Sequence, residues 1–298
     1  MPTARLALLK FDSPNVVCMM NYQQSPQFRL DSSYPIIDWL EAISTESPYW
    51  PTSSRLSSLV PSLQTVAARN DDWYRKAWWG FHAARVLFKY VVSGRDQEIV
   101  NIVRCENSEL LDSLLNRGQG VIIAGSHLGP ELSVLPWLTF RYHQPLALTS
   151  TKLRSGDNVV HVGDNNNAQK LSLARALLNL RRNKMVRIVP DGEYGISEES
   201  FRVRVNGQRS YLSRGPAELA YLSQAPTLIS SFSWATPNRI ETKFHYLDME
   251  KYARADKEEW IKHWYQIYLS RLWKNMTSHP QDIGFRQGGL FWNRKRWQ

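Results

Sequence analysis

The sequence predicts an α/β fold in which a mixed, mostly parallel sheet is flanked by helices and preceded by a helical N-terminal segment. After Gly120, short apolar runs of strand length alternate with stretches of helical periodicity, which is the pattern of a sheet covered by helices. Before that point the periodicity from Asp71 onward is helical only. We therefore expect one α/β domain over residues 71–298, including its N-terminal helices, behind an irregular region at residues 1–70.

The elements that precede the sheet follow from local signals. Residues 23–70 are rich in Ser, Pro and Thr and only weakly periodic, so irregular structure is expected there. A helix of about 20 residues should begin at Asp71 and end near Gly94. Two shorter helices are expected at Gln97–Arg104 and Ser108–Asn116, the second capped by Asn107.

The predicted strands and helices of the domain alternate along much of the sequence. Strands are expected at Val121–Gly125, Leu146–Ser150, Met185–Val189, Phe201–Val205, Thr227–Phe232 and Ile240–Leu247. Helices are expected at Glu131–Phe140, Ala168–Arg182, Pro216–Gln224 and Lys257–Met276. The last helix should begin with a capping box in which Asp256 and Glu259 take part.

Composition and length exclude several classes of protein. The chain has 298 residues, of which 43% are hydrophobic and 21% are charged, as in globular proteins rather than disordered or fibrous ones. Cys18 and Cys105 are too few for a disulfide framework or a cysteine zinc site. No apolar run approaches the roughly 18 residues of a membrane-spanning helix. The short apolar run near the N-terminus is interrupted by Asp12 and Pro14, so no secretion signal is expected.

The positive charge is concentrated late in the sequence. The net charge is +10, and residues 201–298 hold 16 Lys and Arg against 8 Asp and Glu. Such a surface suits nucleic acid, anionic lipid headgroups or an acidic protein. The 12 tryptophans favour a membrane interface, where indole and cationic side chains both collect. We expect residues 251–298 to supply this surface.

Two groups of polar residues follow predicted strands. The strand Val121–Gly125 leads into SHLGPE, which contains His127 and Glu131, and the strand Met185–Val189 leads into PDGEYG, which contains Asp191 and Tyr194. Active sites of parallel sheets form at this edge. A carboxylate beside His127 would fix its tautomer for proton transfer. Alternatively, His127 has only a structural role, and Asp191 belongs to an ordinary Pro-Asp-Gly turn.

The order of these motifs resembles the bacterial lipid A late acyltransferases of the lysophospholipid acyltransferase superfamily, over residues 73–297. The resemblance is carried by GQGVIIAGSH at residues 118–127, PDGEYG at 190–195, RGPAELA at 214–220, and Pro280 with FWNRKR at 291–296. The superfamily leaves four residues between the histidine and its carboxylate, whereas three separate His127 from Glu131. If residues 127–131 were helical, the four-residue step would place both side chains on one face.

The resemblance implies a peripheral acyltransferase on the cytoplasmic face of the inner membrane, or otherwise in the cytoplasm. It implies transfer of a fatty acyl group from acyl-carrier protein or coenzyme A to a hydroxyl of a glycolipid or related acceptor, with no cofactor and no metal. His127 would be the base and Glu131 its orienting partner. Arg154 or Lys152 would lie near the oxyanion or a phosphate, and Asp191 and Tyr194 would shape the acceptor side.

Other readings stay open at this point. One alternative is a catalytically degenerate relative that binds lipid or an acidic partner, because the spacing from His127 to Glu131 is one residue shorter than in the superfamily. A metal hydrolase would use His127 and Glu131 with His143 or His161, although the spacing matches no known ligand pattern. A nucleic-acid-binding protein would use the basic C-terminal third, but no helix-turn-helix, RRM or zinc-finger signature accompanies it, so no specific nucleic acid is expected.

Overall fold

The structure is a computed structural model that describes residues 34–45, 71–142, 145–149, 159–162, 166–191, 201–205 and 208–283. Its strands are β1 (Val103–Cys105), β2 (Val121–Ala124), β3 (Leu146–Thr149), β4 (Val159–His161), β5 (Met185–Ile188), β6 (Phe201–Val205), β7 (Gln208–Leu212), β8 (Thr227–Thr236) and β9 (Arg239–Tyr246). Seven of them form one sheet in the order β1-β9-β8-β2-β5-β3-β4, and β6 pairs with β7 in a separate hairpin.

The main sheet is mixed and mostly parallel. The five strands β8, β2, β5, β3 and β4 run in one direction. The strand β9 is antiparallel to β8, and β1 is parallel to β9. The predicted fold class is therefore confirmed.

Helices cover both faces of this sheet. The helices are α1 (Ile36–Thr45), α2 (Asp71–Val92), α3 (Asp96–Asn101), α4 (Ser108–Asn116), α5 (Val134–Tyr142), α6 (Asn166–Arg181), α7 (Gly215–Ser223) and α8 (Lys257–Ser278). Short 3-10 turns lie at Glu131–Ser133, Glu250–Tyr252 and Pro280–Asp282. Asp256 caps α8 as predicted, since its Oδ1 accepts from the Glu259 backbone N–H at 2.9 Å.

The central strand β2 shows why its sequence is an uninterrupted apolar run. Val121 and Ile123 point into a core shared with α1 to α5, whereas Ile122 and Ala124 point into a core shared with α6, α7 and α8. All four residues are fully buried. A parallel strand covered on both faces needs apolar side chains at every position.

The two glycines before β2 have different roles. Gly118 has φ +72° just after α4, a conformation that glycine adopts without the penalty of a side chain. Gly120 lies against the backbone of Leu180, whose carbonyl oxygen would be 2.2 Å from an added Cβ. The GQG sequence therefore ends one helix and lets α6 approach the start of β2 closely.

Several local expectations are wrong for physical reasons. Helix α1 lies in the region that was expected to be irregular, because its apolar residues pack against α2. The expected helix Gln97–Arg104 ends early, since Val103–Cys105 pairs with β9. The strand Phe201–Val205 forms a hairpin outside the main sheet. Asn107 makes no helix cap; its side chain bonds the backbone N–H and C=O of Phe244 instead.

Candidate active site

The candidate site lies at the edge where β2 and β5 end. These neighbouring strands are parallel, with Ala124 beside Ile188. His127 comes three residues after the end of β2, and Asp191 comes three residues after the end of β5. Because parallel strands end at the same edge of a sheet, the topology brings together two residues that are 64 positions apart.

Asp191 contacts His127 through both of its carboxylate oxygens. Oδ1 lies 3.0 Å from the ring Nδ1, and Oδ2 accepts from the backbone N–H of His127 at 2.9 Å. The Asp191 side chain is completely buried, whereas 22% of the His127 side chain is exposed. The pair therefore has a buried carboxylate behind the ring and an open side in front of it.

This arrangement fixes the tautomer of His127. A carboxylate oxygen only accepts hydrogen bonds, so the ring nitrogen beside it, Nδ1, carries the hydrogen. Nε2 is then the basic nitrogen, and the carboxylate stabilises the imidazolium that forms when Nε2 takes a proton. The arrangement is suited to general base and general acid chemistry on a bound group.

Glu131 is paired with Arg187. Its Oε1 lies 2.5 Å from Nη2 of Arg187, a residue of β5, and both side chains are largely buried, with exposed fractions of 12% and 6%. The resemblance predicts Glu131 as the orienting partner of His127. The carboxylate on the His127 ring nitrogen Nδ1 is instead that of Asp191.

The reason for this correction is the backbone between the two residues. Residues 127–130 are not helical, and Gly129 turns the chain with φ +68°. The 3-10 turn begins only at Glu131. The one-face argument for a four-residue step applies to a helix, so it does not hold here.

The third side of the site is formed by α8. The hydroxyl of Tyr268 donates to the carbonyl oxygen of Gly125 at 2.7 Å. Burial, followed by the negative charge of Asp191, raises the pKa of Tyr268 well above its usual value. This phenol therefore stays protonated and donates a hydrogen bond at the point where the chain leaves β2 for His127.

The loop that carries His127 is also tied to the segment after α8. The backbone N–H of Gly129 donates to the carbonyl oxygen of Asp282. The buried carboxyl of Asp282 accepts from the Ser233 hydroxyl and, at 2.9 Å, from the backbone N–H of Trp234. Burial raises the pKa of Asp282 to about 7, against the lowering effect of these hydrogen bonds.

Most backbone N–H groups of the loop are already used. Gly125 donates to Ile188, His127 to Asp191, and Leu128 to the hydroxyl of Ser126 at 3.3 Å. Gly129 donates to Asp282. These four groups therefore support the loop rather than point towards a bound molecule.

The other predicted site residues do not all fall within the described part of the chain. Lys152, Arg154 and Tyr194 lie outside the described residues, as does His143. His161 ends β4, three strands from β2, which is about 14 Å at the usual strand spacing. The described residues hold no group of three His, Cys, Asp or Glu side chains that could bind a metal ion.

Sequence reasoning missed Arg187, Tyr268 and Asp282 as neighbours of this loop. Arg187 does carry a local signal: it is a charged residue inside an otherwise apolar strand, and a buried charge requires a partner. Tyr268 and Asp282 carry no such local signal, since their contacts join positions that are far apart in the sequence.

Comparison with known proteins finds a likeness to solved structures but none to family models or curated sequences. No protein-family model and no curated protein matches the sequence. A solved structure, the 1-acyl-sn-glycerophosphate acyltransferase PlsC of Thermotoga maritima, is similar at 12% identity and a TM-score of 0.36, covering 81% of this chain and 95% of that one. Over the described residues, no helix is both long and apolar enough to cross a membrane.

Proposed function

We propose that this protein is an O-acyltransferase that moves a fatty acyl group from a thioester to a hydroxyl group. The single observation that carries the proposal is the contact of Asp191 with both the ring and the backbone of His127. It supplies an oriented base at the sheet edge where the GQGVIIAGSH sequence ends and the PDGEYG sequence begins. Those sequences are the ones that resemble the lipid A late acyltransferases.

The chemistry follows from the tautomer. Nε2 of His127 takes the proton from the acceptor hydroxyl while its oxygen attacks the thioester carbonyl carbon. The tetrahedral intermediate then collapses with cleavage of the carbon–sulfur bond, and the leaving thiolate takes the proton from the imidazolium. Throughout, the Asp191 carboxylate stabilises the positive ring. The base returns to its starting state after each turnover.

The stabilisation of the intermediate oxyanion is assigned to groups beyond the His127 loop. The N–H groups of Gly125, His127, Leu128 and Gly129 are bonded within the protein. A cation can stabilise the oxyanion in place of such donors, and we propose that Arg154 or Lys152 supplies it. We propose that Tyr194 lies on the side of the site that binds the acceptor.

The substrates and location are proposed on the resemblance. The donor would be acyl-carrier protein or acyl-coenzyme A, and the acceptor a glycolipid or related molecule at an anionic membrane surface. The enzyme would then act peripherally on the cytoplasmic face of the inner membrane, with the thioester as a co-substrate and no cofactor.

The test is mass spectrometry of lipid and small-molecule acceptors after purified protein meets an acyl thioester. The wild type should add one acyl group to a hydroxyl-bearing acceptor, and His127→Ala should abolish the product. His279→Ala, which alters an exposed histidine, is the matched control and should retain activity. Full activity in His127→Ala would disprove the mechanism, and absence of any acylated product across both thioester donors would count against the transferase.

A further inference from the structure

The outer face of α6 combines exposed leucines with an unusual charge balance. Leu171 is 72% exposed and Leu178 is 47% exposed. Residues 166–184, which are α6 and the turn after it, contain five cations and no Asp or Glu. Single exposed leucines are common on soluble proteins, so the arrangement of these residues decides whether the face has a purpose.

The geometry of the helix puts the leucines between the cations. Leu171 and Leu178 are seven residues apart, which places them within about 20° of each other around the axis. By the same rotation of about 100° per residue, Lys170 and Arg181 lie on one side of the leucines, and Arg175 and Arg182 lie on the other. The opposite side of α6 is buried in the core through Ala176 and Leu180.

Helix α6 therefore has apolar side chains on two sides, one buried in the core and the other exposed to solvent. The inner side is accounted for by packing against the sheet. The outer side is an apolar strip edged by cationic side chains, with the exposed Leu222 on the adjacent helix α7. The nearby acidic residue Glu218 of α7 is already paired with Arg214 and with Lys257 at 2.8 Å.

We infer that this strip (Leu171 and Leu178 flanked by Lys170, Arg175, Arg181 and Arg182) is the surface that binds an anionic phospholipid bilayer. Leucines enter the boundary between headgroups and acyl chains, while long cationic side chains reach the phosphates beside them. Charge complementarity selects an anionic bilayer over a neutral one. This inference rests on the proposed function and adds a second surface to the one expected at residues 251–298, of which residues 284–298 lie outside the described part of the chain.

The position of α6 suits an acceptor that lies in a membrane. The strand β4, which precedes α6, ends at the same sheet edge as β2. The N-terminal end of α6, with Leu171 in its second turn, therefore starts from the edge that carries His127.

The experiment is vesicle co-sedimentation of the full chain with phosphatidylcholine alone and with phosphatidylcholine plus 30% phosphatidylglycerol. Wild type should bind the anionic vesicles, less strongly at high salt. Lys170→Gln/Arg181→Gln/Arg182→Gln should bind roughly 100-fold more weakly, at about 1 kcal/mol for each of the three cations. Leu171→Gln/Leu178→Gln should also bind more weakly.

Matched controls change side chains outside α6. Val92→Gln/Phe140→Gln removes two side chains that are each 56% exposed on α2 and α5, and Lys89→Gln/Arg104→Gln/Arg117→Gln removes three exposed cations. Both controls should bind like wild type. Equal binding to the two vesicle types, binding to neither, or unchanged binding of the α6 variants would overturn the inference.

A separate readout distinguishes this inference from the proposed function. Acyl transfer to a water-soluble hydroxyl acceptor, measured without vesicles, should be unchanged in the α6 variants. Absence of transfer in the wild type would count against the enzyme while leaving the vesicle result valid.

Discussion

Asp191 holds His127 at two points, with one carboxylate oxygen on the backbone N–H and the other on the ring nitrogen. The contact with the N–H fixes the position of the His127 backbone, and the contact with Nδ1 fixes the orientation of the imidazole ring. One buried side chain thus sets both the position and the tautomer of the base.

The first prediction is that Asp191→Asn lowers kcat by roughly 100- to 10,000-fold. An asparagine can keep the contact with the backbone N–H, but its amide donates to Nδ1 and so leaves the hydrogen on Nε2, where the base is needed. Steady-state kinetics and circular dichroism check this prediction. A folded Asp191→Asn variant with wild-type kcat would contradict it.

Glu131→Gln is the contrasting variant for that experiment. Because Glu131 is paired with Arg187, we expect the change to lower the unfolding temperature while kcat per folded molecule falls much less than in Asp191→Asn. A larger loss of kcat in Glu131→Gln than in Asp191→Asn would return the orienting role to Glu131.

The second prediction concerns the energy of the Glu131–Arg187 pair. Removing one partner leaves a buried charge, so Glu131→Gln or Arg187→Met alone should destabilise the protein by about 3–5 kcal/mol. The double variant should be less destabilised than the sum of the two, with a coupling energy of about 1 kcal/mol or more. Urea unfolding of all four proteins measures the coupling, and strict additivity would show that the two side chains do not interact.

The third prediction is a pH dependence of stability from Asp282. Burial raises its pKa from 3.8 to about 7 in the folded protein. Between these values the folded state keeps a proton that the unfolded chain has lost, so this group's contribution to stability is complete below pH 3.8 and is lost as the pH rises to 7.

Asp282→Asn removes this titration, so its unfolding free energy should fall less than that of wild type between pH 4 and pH 7. Denaturant melts at a series of pH values provide the comparison. Asp72→Asn changes an exposed aspartate and should follow wild type. Parallel pH curves for wild type and Asp282→Asn would mean that the carboxyl is ionised throughout.

The fourth prediction compares two glycines whose φ angles are nearly the same. Gly94 and Gly129 have φ +70° and +68°. An added Cβ meets nothing within 4 Å at Gly94, but at Gly129 it would lie 2.0 Å from the Phe232 carbonyl oxygen. Gly94→Ala should therefore cost about 1 kcal/mol from φ alone. Gly129→Ala should cost more and lower activity, because its loop carries His127. Equal thermal shifts for the two variants would argue against this tight contact.

The sequence predicts those parts of the fold that depend on neighbouring residues. The apolar run of β2, the boundaries of α4 and the Asp256 cap all follow from local pattern and are present. The position of His127 after a central strand also follows from local pattern. Its partner does not, because Glu131 and Asp191 are both acceptable acids and only the turn at Gly129 and the pairing of β2 with β5 decide between them.

The features that the sequence does not predict depend on contacts between residues that are far apart in the sequence. β1 is three residues long and exists through its pairing with β9. Asn107 has the composition of a helix cap, but the backbone of Phe244 offers it both a donor and an acceptor. Local preference is weak at such positions, and tertiary hydrogen bonds determine the outcome.

The tie between Gly129 and Asp282 has a consequence for the order in which the molecule is completed during synthesis. The loop that presents His127 emerges from the ribosome first, and its support at Asp282 is translated about 150 residues later. Contacts between such distant positions form late because a long loop must close first. A nascent chain that has not reached Asp282 therefore holds His127 on an unfinished loop, so the candidate site is completed only after the segment with Asp282 has been translated.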